Sequence, residues 1–273
     1  MTDRVTAQRD HNDVWRDKIQ ELIDHHRSLF DKAGRQIPYP VEPASDLQTD
    51  RDRVPDLWVD SVVQRQIAHS IDCAQGIRDL AEIGTHSFAH FVLIRGIFES
   101  SAMAVWLLES DDQKIRLGRL LAQHADHWRE YKNAYDLTDI DVGTLYADRA
   151  TGLKKMMQDA GLRPADCKFP GYTKLIKTVD DSPCTPTSLE LAWRLCSGVA
   201  HGKTWATAAV TTEVEPGPTI VSGQYSGRMP DYQTVKTMLG TAFRTLSHAD
   251  VLFEIRRTSR PHAIRSVLQP HPS

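Results

Sequence analysis

The stretch LELAWRLCSGVAHGK, residues 189–203, carries polar side chains whose spacing could support acid–base or phosphate chemistry. At about 100° per residue, Arg194 and His201 project from the same side of a helix, two turns apart, with Ser197 between them. An imidazole titrates near neutral pH, as a proton shuttle requires, and a guanidinium offers forked donors to phosphate oxygens. The pattern predicts a helix that presents Arg194, Ser197 and His201 to one ligand, with Lys203 placed to contact phosphate.

A second polar pair interrupts the most apolar predicted helix of the chain, roughly His86–Glu109. Arg95 and Glu99 are four residues apart, so they share one face of that helix. Charged groups in such a helix are costly unless they are paired or reach solvent. Two arrangements follow: an ion pair within the helix, or a Glu99 side chain that reaches the Arg194/His201 helix and orients the imidazole.

The two motifs taken in order resemble the HEPN superfamily (higher eukaryotes and prokaryotes nucleotide-binding domains). RLCSGVAHG matches the superfamily's signature of an arginine, a six-residue spacer and a histidine. IRGIFESSAMAVWLL resembles the R-x-x-x-E helix of a HEPN-like bacterial branch whose pattern ends in S-x-x-x-H-G, and Ser197, His201 and Gly202 fit that ending. The resemblance covers about Val62–Lys203.

The resemblance implies a metal-independent endoribonuclease of toxin or defence type that needs no cofactor. Two protomers of such an enzyme place their Arg/His helices around a shared cleft, so a homodimer is expected, with RNA or a nucleotide as ligand and an antitoxin as a further partner. His201 would act as general base or acid and Arg194 would stabilise the charge on phosphorus, supported by Arg95 and Glu99. Cleavage would leave a 2′,3′-cyclic phosphate and a 5′-hydroxyl.

A non-catalytic interpretation stays open beside the nuclease. Many catalytic members of the superfamily have a polar residue, often asparagine, directly after the arginine, whereas this chain has Leu195. The chain could instead be a HEPN-like nucleotide-binding or protein-interaction module with a structural polar network. In that network Arg194 would pair with Glu99, and His201 would cap its own helix end.

A metal-dependent enzyme is the third interpretation. His86 and His90 are four residues apart, and His124 and His127 are three apart, so each pair could share a ligand. The repeated Glu-x-x-His of a di-iron bundle is absent from the sequence. We therefore expect hydrogen-bonding or solvent-facing histidines and no metal.

Hydrophobic periodicity predicts the helices that must position these groups. The predicted fold is mainly α, a HEPN-like helical bundle with an N-terminal helical extension and a small β-hairpin before the last helix. The hairpin is expected within residues 204–226, because Trp205–Val214 and Pro218–Tyr225 alternate and are rich in Thr, Val and Ile. Helices are predicted at about residues 13–33, 55–83, 86–109, 111–135, 141–161, 172–179, 189–201 and 232–257.

Three stretches of the chain are predicted to differ in organisation. Residues 1–54 are expected to hold disordered residues 1–10, the first helix and a loop, Gly34–Arg53, that is too proline-rich to be helical. Residues 55–260 would form the HEPN-like helical domain. Residues 261–273 are expected to be a loose tail.

Composition excludes several classes of protein. Hydrophobic residues make up 40% and charged residues 25% of the chain, as in soluble globular proteins. A net charge of −3 excludes a polycation that coats nucleic acid, so any basic patch is local, the best candidate being the arginine cluster around Arg256. A polar N-terminus and short apolar runs predict a cytoplasmic protein without a membrane segment. Four scattered cysteines with no CxxC pair predict reduced thiols.

The tryptophans bear on nucleic-acid binding. Trp106, Trp128 and Trp193 are spaced like core or interface residues. An exposed tryptophan beside the cleft would instead indicate base stacking.

Overall fold

The structure of the protein is a computed structural model that describes residues 2–26, 40–83, 86–180, 189–214 and 227–259. These residues form ten α-helices, one 3₁₀ turn and one antiparallel pair of short strands, so the predicted mainly α fold is confirmed. The elements in chain order are α1 (Thr2–His25), α2 (Asp46–Arg53), α3 (Val59–Ile83), α4 (Ala89–Leu108), α5 (Gln113–Tyr135), α6 (Gly143–Ala160), the 3₁₀ turn Pro164–Asp166, α7 (Tyr172–Asp180), α8 (Leu189–Ala200), α9 (Thr204–Val210), β1 (Thr211–Val214), β2 (Gly227–Pro230) and α10 (Tyr232–Arg257).

Most of the predicted helices are confirmed. The longest, α10, has the predicted bounds. Asp112 caps α5 as expected, since its side chain accepts the Lys114 N–H at 2.8 Å. Gly161 ends α6 in the left-handed conformation with φ of 69°. Two helices start later than predicted, α3 at Val59 instead of Pro55 and α4 at Ala89 instead of His86.

The N-terminal predictions need two corrections. Residues 2–10 are helical rather than disordered, and α1 ends at His25 instead of near Ala33. Within the predicted proline-rich loop, Asp46–Arg53 forms α2. The Ser45 side chain caps α2 by accepting the Gln48 N–H at 3.2 Å, and a buried Leu47 anchors the helix. The cap and the anchor are sufficient for a helix despite the prolines that precede it.

A short antiparallel pair of strands precedes the last helix, and its bounds differ from the predicted ones where the structure describes them. Residues 204–210, expected to begin its first strand, form α9, whose buried residues Ala206 and Val210 lie one turn apart. The strand β1 begins only at Thr211, directly after α9, and Thr211 pairs with Pro230 at the far end of β2. The predicted second strand, Pro218–Tyr225, and the predicted tail, residues 261–273, lie outside the described residues.

Contacts along the chain define two compact units, each drawn from three segments. The first unit comprises described residues within Met1–Gln36, Gln66–Ala102 and Ile176–His248, and the second those within Ile37–Arg65, Met103–Leu175 and Ala249–Ser273. The division of the chain at residues 54 and 260 stays a prediction.

In the first unit, α10 is the helix against which α1 and α8 pack. The His26 ring, just after α1, stacks on Phe243 of α10 with 4.6 Å between ring centroids. The Cys196 thiol of α8 donates to the Met238 sulfur of α10 at 3.5 Å. Burial raises the pKa of the Cys196 thiol, which therefore serves packing rather than nucleophilic chemistry.

Two buried arginines of the second unit form ion pairs with aspartates near helix ends. Arg116 of α5 forms a two-pronged ion pair with Asp50 of α2, at 2.8 and 2.9 Å. Arg256 of α10 contacts Asp46 at 2.7 Å and Asp111 at 2.6 Å. Arg256 is only 6% exposed, so this arginine is not part of a solvated basic patch, and Arg260 and Arg265 of the predicted cluster lie outside the described residues.

The helix α4 is long and apolar enough to cross a membrane by length and composition. However, 72% of its most apolar window is buried inside the protein. That burial is typical of a core helix, and it places Arg95 and Glu99 within a mainly apolar element.

Candidate functional site

A polar network in the first unit joins α4 to α8. Arg95 donates through Nε to Glu99 Oε1 at 2.7 Å, so the predicted ion pair within the helix is confirmed. Trp193 donates through Nε1 to the same Glu99 oxygen at 3.0 Å. Glu99 therefore reaches α8, as one of the two predicted arrangements requires, but its partner there is an indole instead of the imidazole.

His201 contacts this network through Arg95. Arg95 Nη1 lies 3.4 Å from His201 Nε2. Because a guanidinium has no acceptor, a hydrogen bond at this contact has Arg95 as the donor and His201 Nε2 as the acceptor. The His201 side chain is exposed. The site therefore places an accessible imidazole nitrogen beside a guanidinium that Glu99 holds in place.

Arg194 lies apart from Glu99. Its Nε and Nη2 contact Glu190 Oε1, one turn earlier in α8, at 2.8 and 2.6 Å. The Arg194 side chain is 51% exposed. The predicted structural pairing of Arg194 with Glu99 is therefore wrong. Arg194 remains a surface cation of α8, and Arg95 is the arginine that contacts His201.

The end of α8 fixes the backbone of His201. Gly202 has φ of +63°, its N–H donates to Val199 O at 2.9 Å, and the Lys203 N–H donates to Gly198 O at 2.8 Å. These two bonds with a left-handed glycine form a Schellman motif. His201 is thereby held as the first residue after α8, three positions before α9 begins at Thr204.

Replacing Gly202 with alanine should lower the free energy of unfolding by about 1 kcal/mol, because an L side chain is strained at this φ. Apart from the chain neighbours of Gly202, no atom of the described residues lies within 4 Å of an added Cβ there, so backbone strain is the expected cost. Gly202→Asn should cost less, since asparagine tolerates this conformation.

The matched control is Gly152→Ala in the interior of α6, where an added Cβ is equally unobstructed but the backbone is helical. It should be neutral or stabilising. Urea unfolding measures all three variants, and a Gly202→Ala protein as stable as the wild type would contradict the strained motif.

The start of α8 is held by an aspartate from the end of α7. The two oxygens of the Asp180 side chain accept the backbone N–H groups of Leu189 at 2.9 Å and Glu190 at 3.2 Å. A carboxylate at this position also favours the positive end of the helix. The predicted capping residues Thr187 and Ser188 lie outside the described residues.

Trp205 is a further candidate site residue that the sequence pattern placed only in a predicted strand. An added Cβ at Gly198 would lie 2.5 Å from Ala206 Cβ and 3.0 Å from Trp205 Cζ2, so α9 packs directly on α8 where the side chain is absent. Gly198 lies one turn after Arg194 and nearly one turn before His201. Trp205 is 56% exposed. The six-membered ring of an exposed tryptophan therefore lies on the polar stripe, between its two ends.

The other two predicted site residues are placed by the same helix end. Ser197 is half-buried, and its carbonyl accepts the His201 N–H at 3.1 Å. Lys203 is exposed and directly precedes α9, with its carbonyl accepting the Ala206 N–H at 3.0 Å. Lys203 thus remains available for a phosphate contact, and Ser197 contributes mainly through its backbone.

Neither predicted histidine pair forms a ready metal site. His86 precedes α4, so it does not share a helical face with His90, whose pKa is lowered to about 4, mainly by burial. His124 Nε2 accepts a hydrogen bond from Trp128 Nε1 at 3.1 Å, which occupies that nitrogen. In the part of the chain that the structure describes, no three His, Cys, Asp or Glu side chains are grouped as metal ligands would be.

The second unit contains a cavity of about 400 Å³. Its lining mixes cations and carboxylates, among them Lys155 and Asp159, which pair with each other at 3.2 Å. The guanidinium of Arg149, also in the lining, packs over the Trp128 ring at 5.1 Å. The cavity therefore offers paired charges, whereas the His201 site offers an imidazole lone pair.

Comparison of the chain with protein-family models, with curated proteins and with solved structures found no match in any of the three. The groups of the site define the chemistry that is available there. His201 can accept or return a proton, Arg95 can donate to an anion, and Arg194 and Lys203 add exposed positive charge to the same surface.

Proposed function

We propose that the protein is a metal-independent endoribonuclease in which His201 and Arg95 act on one phosphodiester linkage. The observation that carries the proposal is the 3.4 Å contact between Arg95 Nη1 and His201 Nε2. A phosphate oxygen is a stronger acceptor for a guanidinium than a neutral imidazole is. Bound RNA would therefore take the Arg95 donor and leave the His201 lone pair to accept a proton.

The reaction that suits these groups is an internal transesterification. His201 Nε2 accepts the proton of the ribose 2′-hydroxyl, and the 2′-oxygen forms a bond to the adjacent phosphorus. The bond from phosphorus to the 5′-oxygen breaks, and the departing 5′-oxygen takes a proton from solvent water while His201 returns its proton to solvent, which leaves a 2′,3′-cyclic phosphate and a 5′-hydroxyl. Arg95 stabilises the negative charge that develops on the phosphoryl oxygens, and Glu99 with Trp193 keeps Arg95 in position.

Three further elements of the proposal follow the HEPN resemblance. Arg194 would contact a phosphate from the exposed face of α8, in exchange for Glu190. Two copies of the chain would form a homodimer with their Arg/His helices facing a shared cleft. The enzyme would act in the cytoplasm as a toxin or defence protein, restrained by an antitoxin or a comparable partner.

The test is incubation of purified wild-type protein with end-labelled RNA in excess EDTA. We expect cleavage that EDTA does not affect, with 2′,3′-cyclic phosphate ends identified by mass spectrometry. An RNA of the same sequence with 2′-O-methyl groups lacks the nucleophile and should stay intact. Loss of cleavage in EDTA would favour a metal-dependent enzyme, and cleavage of the 2′-O-methyl strand would exclude the proposed reaction.

A second candidate is a non-catalytic nucleotide-binding or protein-interaction module. The observation that favours it is the shared Glu99 oxygen, which binds Arg95 and Trp193 and so gives the network a structural use. Saturable binding of RNA or nucleotide by a wild-type protein that cuts no RNA would support this candidate over the nuclease.

A further inference from the structure

We infer that Trp205 is a stacking platform for one nucleobase and that the substrate is therefore single-stranded RNA. This inference rests on the proposed function, because it names the form of the RNA that the His201 site would take. Trp205 is a large apolar side chain with 56% of its surface exposed. Isolated exposed apolar residues are common, so its surroundings decide whether it has a role.

The first argument is the place where the Trp205 ring packs against α8. Trp205 Cζ2 and Cη2 would lie 3.0 and 3.4 Å from a Cβ at Gly198. The ring therefore takes the place that a side chain at position 198 would fill. Arg194 is one turn away on one side and His201 is nearly one turn away on the other. A base on this ring would have its backbone within reach of the groups proposed for the reaction.

The charge of the surroundings is the second argument. Arg194, exposed on α8 where Glu190 pairs with it until a phosphate takes that place, and Lys203, exposed before α9, both lie on the chain segment that carries the tryptophan. An aromatic plane among exposed cations fits a ligand that combines a flat apolar ring with a phosphate. Single-stranded nucleic acid has this chemistry, whereas an apolar protein surface does not match the cations.

Stacking on Trp205 selects against duplex RNA. The bases of a duplex are already stacked on their neighbours and paired, so their faces are not free for an indole. A base in a loop, an end or an unpaired strand can stack on the ring without first leaving a helix. We therefore expect wild-type protein to bind an unpaired strand more tightly than the same strand in a duplex.

The experiment measures binding of a short fluorescent 2′-O-methyl RNA by anisotropy, because that strand keeps its bases but has no nucleophile for cleavage. Trp205→Ala should weaken binding roughly 5- to 150-fold, the range for loss of one stacked base. Trp205→Phe should retain most of the affinity. The matched control is Trp58→Ala, since Trp58 is similarly exposed, at 44%, but lies in the second unit.

Two further strands separate stacking from a structural role of the indole. A strand with abasic sites should bind weakly to the wild type and no more weakly to Trp205→Ala. Pairing the fluorescent strand with its complement should remove most of the difference between the two proteins. An unchanged affinity in Trp205→Ala, or an equal loss on the abasic strand, would overturn the inference.

The assay also separates this inference from the proposed cleavage. Trp205-dependent binding by a protein that cuts no RNA would leave the inference standing and reject the nuclease. Cleavage of unmodified RNA without any effect of Trp205→Ala on binding would support the nuclease and reject the stacking role of Trp205. A wild-type protein that neither binds the unpaired 2′-O-methyl strand nor cuts unmodified RNA would reject both proposals.

Discussion

Replacing His201 with alanine should lower the rate of RNA cleavage by about 10²- to 10⁴-fold, the usual contribution of one general acid–base group. The fold should change little, because the side chain is exposed and contributes to the Schellman motif only through its backbone. Affinity for the uncleavable 2′-O-methyl strand should also stay close to that of the wild type. The expected result is thus a loss of rate at nearly constant binding, measured in single-turnover reactions with excess protein.

The matched control for this prediction is His25→Ala. His25 is also an exposed histidine in the first unit, in the last turn of α1. It makes no contact with Arg95 among the interactions of the described residues, so its replacement should leave cleavage unchanged. Cleavage that survives His201→Ala would remove the central residue of the proposal. A drop in melting temperature that parallels the drop in rate would indicate a structural role for His201.

The long helices could be predicted because their apolar residues recur with the helical period and because their ends carry recognisable caps. The sequence-predicted bounds of α10 are the observed ones, and Asp112 and Gly161 act as the predicted start and stop of α5 and α6. Short elements were predicted less well. The helix α2 was not predicted, because the prolines before Asp46 indicated a loop. A serine followed by a glutamine three residues later, as in Ser45 and Gln48, is nevertheless a helix-start signal.

The α9 segment shows how packing overrides local preference. Its Thr and Val residues favour a strand in isolation. The segment is nevertheless helical, because Gly198 has no side chain and so lets Ala206 pack directly on α8. Gly198 and Ala206 come together only because the chain turns at Gly202. The strand preference is expressed only from Thr211, where β2 supplies a partner.

The candidate site was predictable only where its contacts are local. Arg95 and Glu99 are one turn apart in one helix, so their ion pair follows from spacing alone. The contacts of Arg95 with His201 and of Glu99 with Trp193 join two helices, and their existence depends on how α4 and α8 pack. Spacing identified the two helices that contact each other, but the pairing of residues between them required the structure.

Replacing Asp50 with alanine should lower the free energy of unfolding by about 3–5 kcal/mol, the cost of leaving one charge of a buried pair without its partner. Asp50 and Arg116 are each 1% exposed, and Arg116 Nη1 also donates to the carbonyls of Ser110 and Asp111 at 3.0 Å. Without Asp50 these carbonyls alone would face the guanidinium. Urea unfolding followed by circular dichroism measures the loss.

The double variant Asp50→Ala/Arg116→Met tests the origin of this loss of stability. It separates the cost of leaving the Arg116 charge unpaired from the loss of its attraction to Asp50. Burial raises the pKa of the Asp50 carboxyl even though Arg116 acts to lower it, so desolvation outweighs the attraction for this group. Removing both charges should therefore cost less than Asp50→Ala alone, because no unpaired charge is left buried. Asp159→Ala, which breaks an exposed pair with Lys155 in the same unit, should change stability little. A double variant that loses as much stability as Asp50→Ala alone would instead mean that the attraction between Asp50 and Arg116 is itself a main source of stability in the second unit, and additive losses would mean that the two residues do not interact.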